Sequence, residues 1–187
     1  VGFSKNSRNT ANFNITPYLQ KGKNTVAAEV YRSSDGSFLE AQDMFRLPGI
    51  FRTVALYSVP KVHFRDLVAT PDLDATYTDG SLTVNAEIRN LDKKAIKDYK
   101  VYYSLYANKL YSDENTLVDG FLSPVIDKIA PNETGSVQTV LKVKAPNKWS
   151  AEFPYRYTLV AELKDKKNRT VEMVSTIVGF RKVEIKD

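Results

Sequence analysis

Asp35 is the residue whose type and setting most invite chemistry. It stands in the run Ser34-Asp35-Gly36-Ser37. A carboxylate there is a hard anionic oxygen donor, able to ligate a hard cation or to accept from hydroxyls. Gly36 would let the backbone turn sharply behind it. The same run also reads as a plain turn, with Asp35 bonding its own backbone. Glu40 and Asp43 form a carboxylate pair on the same connection. Arg46 and Arg52 are interleaved with them, so ion pairing is expected there rather than acid–base catalysis. His63 is the single histidine. It falls inside a strand pattern, lacks metal-ligand spacing and is expected to be structural. With no cysteine in the chain, disulfides and thiolate metal sites are excluded, while the compartment is left open.

The elements that must position Asp35 are strand patterns on either side of one long connection. Val26, Ala28 and Val30 alternate with Thr25, Ala27 and Glu29 before it, and a second extended run covers 52–57 after it. The connection itself, residues 31–52, has no period of two or of 3.6. A connection of that length in an all-β domain is either functional or disordered. This one is rich in Phe, Leu, Met and Ile, which need somewhere to pack, so order is expected. Upstream, 12–15 reads as a short strand. Thr16-Pro17-Tyr18-Leu19 reads as one helical turn, with Thr16 as its cap and Pro17 in the first helical position. Lys21-Gly22-Lys23-Asn24 reads as a turn.

After the boundary at Val59-Pro60-Lys61, strands follow at short intervals. The first is expected over 61–69. Leu82, Val84, Ala86 and Ile88 alternate with polar neighbours, led in by the turn at Asp79-Gly80. Val101, Tyr103 and Leu105 form an inner face, with Tyr102, Ser104 and Tyr106 opposite. A short strand is expected over 125–129, before Pro131-Asn132. Val137, Thr139, Leu141 and Val143 alternate, as do Tyr157, Leu159, Ala161 and Leu163, and a last strand covers 170–178. About seven strands over roughly 120 residues is the pattern of an immunoglobulin-like sandwich, without the cysteine pair of antibody domains. The net charge of +5 raises nucleic acid as a partner. The lysines cluster with Asp92, Asp98 and Asp165 at expected hairpin tips, so they read as solvated and no nucleic-acid partner is expected. No apolar run is long enough for a membrane-spanning helix, and no membrane partner is expected.

Three blocks carry a resemblance to glycoside hydrolase family two, nearest its β-galactosidases. The first is Arg32-x-Ser34-Asp35-Gly36-Ser37-Phe38-Leu39-Glu40-x-Gln42-Asp43-Met44-x-Arg46-Leu47-x-Gly49-Ile50-Phe51-Arg52. It resembles the end of that family's sugar-binding jelly roll. Ser33 and Phe45 stand where the family often has Trp, and Ala41 where β-galactosidases often have Asp. The second is Pro146-Asn147-Lys148-Trp149-Ser150-Ala151-Glu152-Phe153-Pro154-x-x-Tyr157, and the third Gly179-Phe180-Arg181-Lys182-Val183-Glu184-Ile185. Both resemble parts of the immunoglobulin-like linker domain that precedes the family's catalytic barrel.

The resemblance implies an all-β chain. Residues 1–59 would be the C-terminal part of a jelly roll and 60–187 an immunoglobulin-like β-sandwich, together a piece of a longer protein. Retaining glycoside hydrolysis uses two carboxylates roughly 5–5.5 Å apart, and the family carries both on its barrel. No catalytic residue is therefore expected in this chain, which alone should be inactive, with no cofactor of its own. In the parent enzyme the resemblance gives Asp35 a role in substrate binding and as a ligand of sodium, with magnesium as a further cation. The expected partners are the catalytic barrel of the same chain, a β-galactoside bound through the parent, and a second copy through the open half jelly roll, where Phe13, Ile15, Val26 and Val30 would be exposed. Trp149 and the outward Tyr102, Tyr106 and Tyr111 could stack on sugar, but packing against protein is the expectation. Asn132-Glu133-Thr134 and Asn168-Arg169-Thr170 match the glycosylation acceptor pattern. The alternatives are a stand-alone carbohydrate-binding or adhesive module, and a β-glucuronidase or β-mannosidase piece of the same family.

Overall fold

The computed structural model describes residues 1–6, 9–40, 43, 45 and 49–185. The chain divides into two compact units, Val1–Tyr57 and Ser58–Asp187.

In the first unit a single 3-10 turn spans Thr16–Tyr18, with Pro17 at its start. Its cap differs from expectation. The Thr16 side chain makes no capping bond; instead Asn14 Oδ1 accepts from the Thr16 N–H at 3.0 Å. The turn at Gly22 (φ +97°) uses the freedom only glycine has. Asn24 locks that turn, accepting from Gln20 N–H at 2.9 Å and donating to the Gln20 and Gly22 carbonyls at 2.8 and 3.0 Å. Among the described residues one α-helix, α1, covers Gly36–Leu39. The strands expected over 12–15, 25–31 and 52–57 are not formed: among the described residues this unit contains no strand. Alternation writes which face of an extended segment is apolar, but a strand also needs a neighbour to complete its ladder. Without one, Phe13, Val26 and Val30 stand 46%, 76% and 50% exposed.

The second unit is a two-layer antiparallel sandwich. One sheet has the order β1-β2-β5, from Val62–Leu73, Gly80–Asn90 and Thr134–Val143. The other has the order β4-β3-β6-β7, from Asn115–Leu122, Lys100–Asn108, Tyr157–Lys164 and Thr170–Val178. The period of two decides what is inside. Leu82, Val84, Ala86 and Ile88 of β2 face Val101, Tyr103 and Leu105 of β3 and Leu159, Ala161 and Leu163 of β6, every one fully buried. Val137, Leu141 and Val143 of β5 join them. Each large aliphatic side chain buried this way contributes about 1.5–3 kcal/mol.

The fourth strand is not where the alternation placed it. Residues 125–129 make only isolated bridges, Tyr99 to Ile126 and Ile96 to Ile129. Ile126 and Ile129 are buried all the same, and Ile129 lies so close over Gly135 that a Cβ there would meet its side chain at 2.8 Å. The true β4 pairs with β3 at the sheet edge and leaves every side chain except Phe121 exposed. Asn90, fully buried, is the polar hub of that end of the sandwich. Its Nδ2 donates to the carbonyls of Lys94, Ile129 and Ala130, and its Oδ1 accepts from Asp92 N–H. A buried amide satisfied this fully ties two connections together, the one after β2 and the one before β5.

Candidate functional site

Asp35 sits at the N-cap of α1 (φ −55°, ψ −36°). Its Oδ1 accepts from the Gly36 N–H at 2.9 Å and its Oδ2 from Lys5 Nζ at 2.5 Å. The surrounding turn is closed by Ser37 N–H on the Ser34 carbonyl at 3.0 Å and by Ser34 N–H on Ser37 Oγ at 2.9 Å. Lys5 and the Gly36 N–H together hold the Asp35 carboxyl below its usual range, so it stays ionised at neutral pH. The side chain remains 69% exposed, free to meet a ligand from solvent.

Two expectations about this turn change. Gly36 is helical rather than in a positive-φ conformation, and a Cβ there would find nothing nearer than Ser34 Oγ at 3.6 Å. The turn does not require glycine; the close approach of Lys5 O, 3.7 Å from the same point, marks where the two backbone runs adjoin. The described apolar side chains of the connection are also not buried: Phe38, Leu39, Phe45, Ile50 and Phe51 are all exposed. Met44, Arg46 and Leu47 lie outside the described residues, and with them the pairing expected for Arg46. Arg52 lies over the Phe51 ring at 5.6 Å.

Lys5 is the residue of this site that sequence reasoning missed. It stands 30 positions from Asp35, and no local spacing announces such a pair.

His63 is structural: its Nδ1–H donates to the Pro60 carbonyl at 2.9 Å. Among the described residues no group of three or more His, Asp or Glu side chains gathers to hold a metal. Asp35 has the donor chemistry for a hard cation, but as one ligand of a set, and its Oδ2 already faces an ammonium. Trp149 is half-buried between Gly179 and the Arg181 guanidinium, which lies 5.0 Å from its ring, and its backbone N–H bonds the Phe180 carbonyl at 2.9 Å. It anchors the segment after β7 and is not presented as an open platform. That segment is tied down again by Lys182 Nζ on the Leu73 carbonyl at 3.2 Å and by Tyr77 Oη on Glu184. Tyr102 crosses over Gly120, where a Cβ would collide with its hydroxyl, while Tyr111 is 93% exposed. Asn132 and Asn168 both occupy exposed positive-φ turn positions.

The second unit is an antiparallel β-sandwich, and the first carries one exposed, ionised carboxylate at a short helical turn. Residues 1–60 match the family described as glycosyl hydrolases family 2, sugar binding domain, and residues 62–181 match glycosyl hydrolases family 2. The chain belongs to glycosyl hydrolase family 2. It is 42% identical over 187 residues to a β-galactosidase of Priestia megaterium, covering all of this chain and 17% of that protein. It is 41% identical over 191 residues to a β-galactosidase of Photobacterium profundum, covering all of this chain and 18% of that protein. The chain thus spans less than a fifth of these relatives' length. Among solved structures, a β-glucuronidase of Bacteroides uniformis superposes on 66% of this chain and 15% of its own, with a TM-score of 0.56 at 18% identity. One from Parabacteroides merdae superposes on 68% of this chain and 15% of its own, with a TM-score of 0.52 at 23% identity. Those two likenesses bear on the fold alone.

Proposed function

We propose that this chain is a non-catalytic portion of a β-galactosidase. Its sandwich would position a catalytic barrel of the same protein, and its Asp35 turn would be presented to that barrel's active site. The observation that carries the reading is the likeness to β-galactosidases along the whole chain, at 42% identity for the Priestia megaterium protein. It includes the turn in which Asp35 is ionised, exposed and pinned at both oxygens.

In the parent enzyme Asp35 would accept hydrogen bonds from hydroxyls of a β-galactoside. It would also be one ligand of sodium, with magnesium a further cation of the protein. A bound sodium ion would offset the carboxylate's charge and fix its orientation. What the chain itself contributes is placement: the Gly36 N–H holds Oδ1, Lys5 Nζ holds Oδ2, and the Ser34–Ser37 bonds close the turn that carries the carboxylate. A charge-assisted hydrogen bond to substrate is the stronger kind.

The test has two parts. The isolated 187-residue chain should release no chromophore from a nitrophenyl β-galactoside. In the full-length protein, Asp35→Asn keeps the size and removes the charge. It should lower kcat/KM on the order of ten-fold or more, weaken the sodium response and leave the melting temperature unchanged. Intact kinetics and sodium response with a lower melting temperature would make Asp35 a turn residue and nothing more. Turnover by the isolated chain that is lost on mutating Glu40 or Asp43 would overturn the non-catalytic assignment.

A further inference from the structure

The sequence blocks at 146–157 and 179–185 come together at one end of the sandwich. Lys148 and Phe180 form a parallel bridge, and the Trp149 N–H donates to the Phe180 carbonyl at 2.9 Å. The Phe180 ring is fully buried, edge-on to Tyr157 at 5.2 Å, and a Cβ added to Gly80 would meet it at 2.9 Å. Tyr157 Oη in turn accepts from the Asn147 N–H at 2.8 Å. The two neighbours of Phe180 both meet the indole of Trp149. Gly179 leaves room for it, since a Cβ there would lie 3.1 Å from the Trp149 side chain. The Arg181 guanidinium lies over the ring, 5.0 Å from its centroid, within the range at which a cation is drawn to an aromatic face. Among the described residues Arg181 makes no ion pair or side-chain hydrogen bond, so the ring contact is what places its head group.

We infer that Trp149 and Arg181 form a clasp, a pair of positioning residues that fixes the course of the chain as it leaves β7 and, through it, the placement of the catalytic barrel. That last step rests on the function proposed above; the clasp itself stands on this unit alone. The division of labour follows from burial. Phe180 supplies the buried area that keeps the segment folded onto the sandwich. The half-buried indole and the exposed guanidinium add little to folding; what they set is direction. Neither touches a reacting atom.

The 187-residue chain has a single tryptophan, so its fluorescence reports the clasp directly. Acrylamide quenching is measured on that chain, and kcat/KM for a nitrophenyl β-galactoside and thermal melts on the full-length protein. The variants are Arg181→Gln, Arg181→Lys, Trp149→Leu and the double variant Trp149→Leu/Arg181→Gln. An exposed cation–ring contact biases an equilibrium by about two- to five-fold. Arg181→Gln should raise the quenching constant, lower kcat/KM by about that factor and leave the melting temperature unchanged. Arg181→Lys, which keeps a cation, should return both towards wild type. Trp149→Leu should lower kcat/KM as well, and the double variant should lose no more than the larger single loss, because the pair acts as one. Unchanged quenching in Arg181→Gln overturns the clasp. Raised quenching with unchanged kcat/KM, or single losses that simply add in the double variant, overturns the positioning role. A full-length protein without β-galactosidase activity overturns the proposed function and the positioning role with it, and the quenching result still decides the clasp. Should Trp149→Leu melt early, quenching and kcat/KM of the two Arg181 variants decide by the same criteria.

Discussion

Tyr103 offers the sharpest test of how the sandwich core is balanced. The residue is fully buried in β3 and its ring stacks on Phe121 at 4.9 Å. Neither its hydroxyl nor the Thr139 hydroxyl has a hydrogen-bond partner among the described residues. Burial pushes the Tyr103 hydroxyl up to about 12, with the nearby Thr139 hydroxyl pulling the other way. An unfolded tyrosine titrates near 10. Between those values the unfolded chain has lost the proton and the folded chain keeps it. The unfolded state then binds fewer protons, so stability falls as pH rises through the window, and the contribution is whole only below about 10. Two units correspond to about 2–3 kcal/mol. Replacing Tyr103 by Phe removes both the alkaline loss and an unbonded buried oxygen, whose desolvation costs about 1–3 kcal/mol. Guanidinium unfolding of the wild type and of Tyr103→Phe, followed by circular dichroism at pH 8 and pH 11.5, reads both effects. The variant should be at least as stable as wild type at pH 8 and should lose about 2 kcal/mol less on going to pH 11.5. The other ten of the 11 tyrosines are common to both proteins and cancel in the difference. A variant destabilised by a kcal/mol or more at pH 8 would mean that the two hydroxyls bond each other in the core. Equal alkaline losses would mean that Tyr103 is not the group responsible.

Three further outcomes are expected. Phe180→Ala removes a fully buried ring set edge-on to Tyr157 at 5.2 Å; unfolding titrations should show a loss of about 3–5 kcal/mol. Glu162 is held below the usual carboxylate range by Lys164 and then by Thr170. Its contribution is present above its unfolded pKa and lost as pH falls through the folded one, so Glu162→Gln should flatten the acid limb of a stability–pH profile. Limited proteolysis of the 187-residue chain should leave a product close to 58–187 while the 1–57 segment is cut; equal protection of both would contradict an independently folded sandwich.

Most of the sandwich was legible because its strands bury one face and wet the other. The alternations at Leu82 to Ile88, Val101 to Leu105 and Tyr157 to Leu163 named core residues that are fully buried. β4 was hidden for the same reason: it is an edge strand with nearly every side chain exposed, so it has no alternation to show. The buried Ile126 and Ile129 supplied a strand-like signal that belongs to loops plugging one end of the sheets. Asn90 and Lys5 were invisible because their partners are brought together by the fold. Of the site, Asp35 and its bond to its own local backbone could be read directly, since that bond joins adjacent residues.

The first unit shows the other limit of the period-two signal. Its segment 25–31 carries an alternation as β2 does, yet neither it nor 52–57 forms a ladder among the described residues. A hydrophobic face lowers the free energy only when something covers it, and here Val26, Val30, Phe38 and Leu39 remain exposed. Asp35 therefore stands on a turn secured by short-range bonds and one exposed ion pair, not on a packed core. Exposed pairs of that kind contribute little to folding, so the geometry of Oδ2 has little built-in rigidity to draw on.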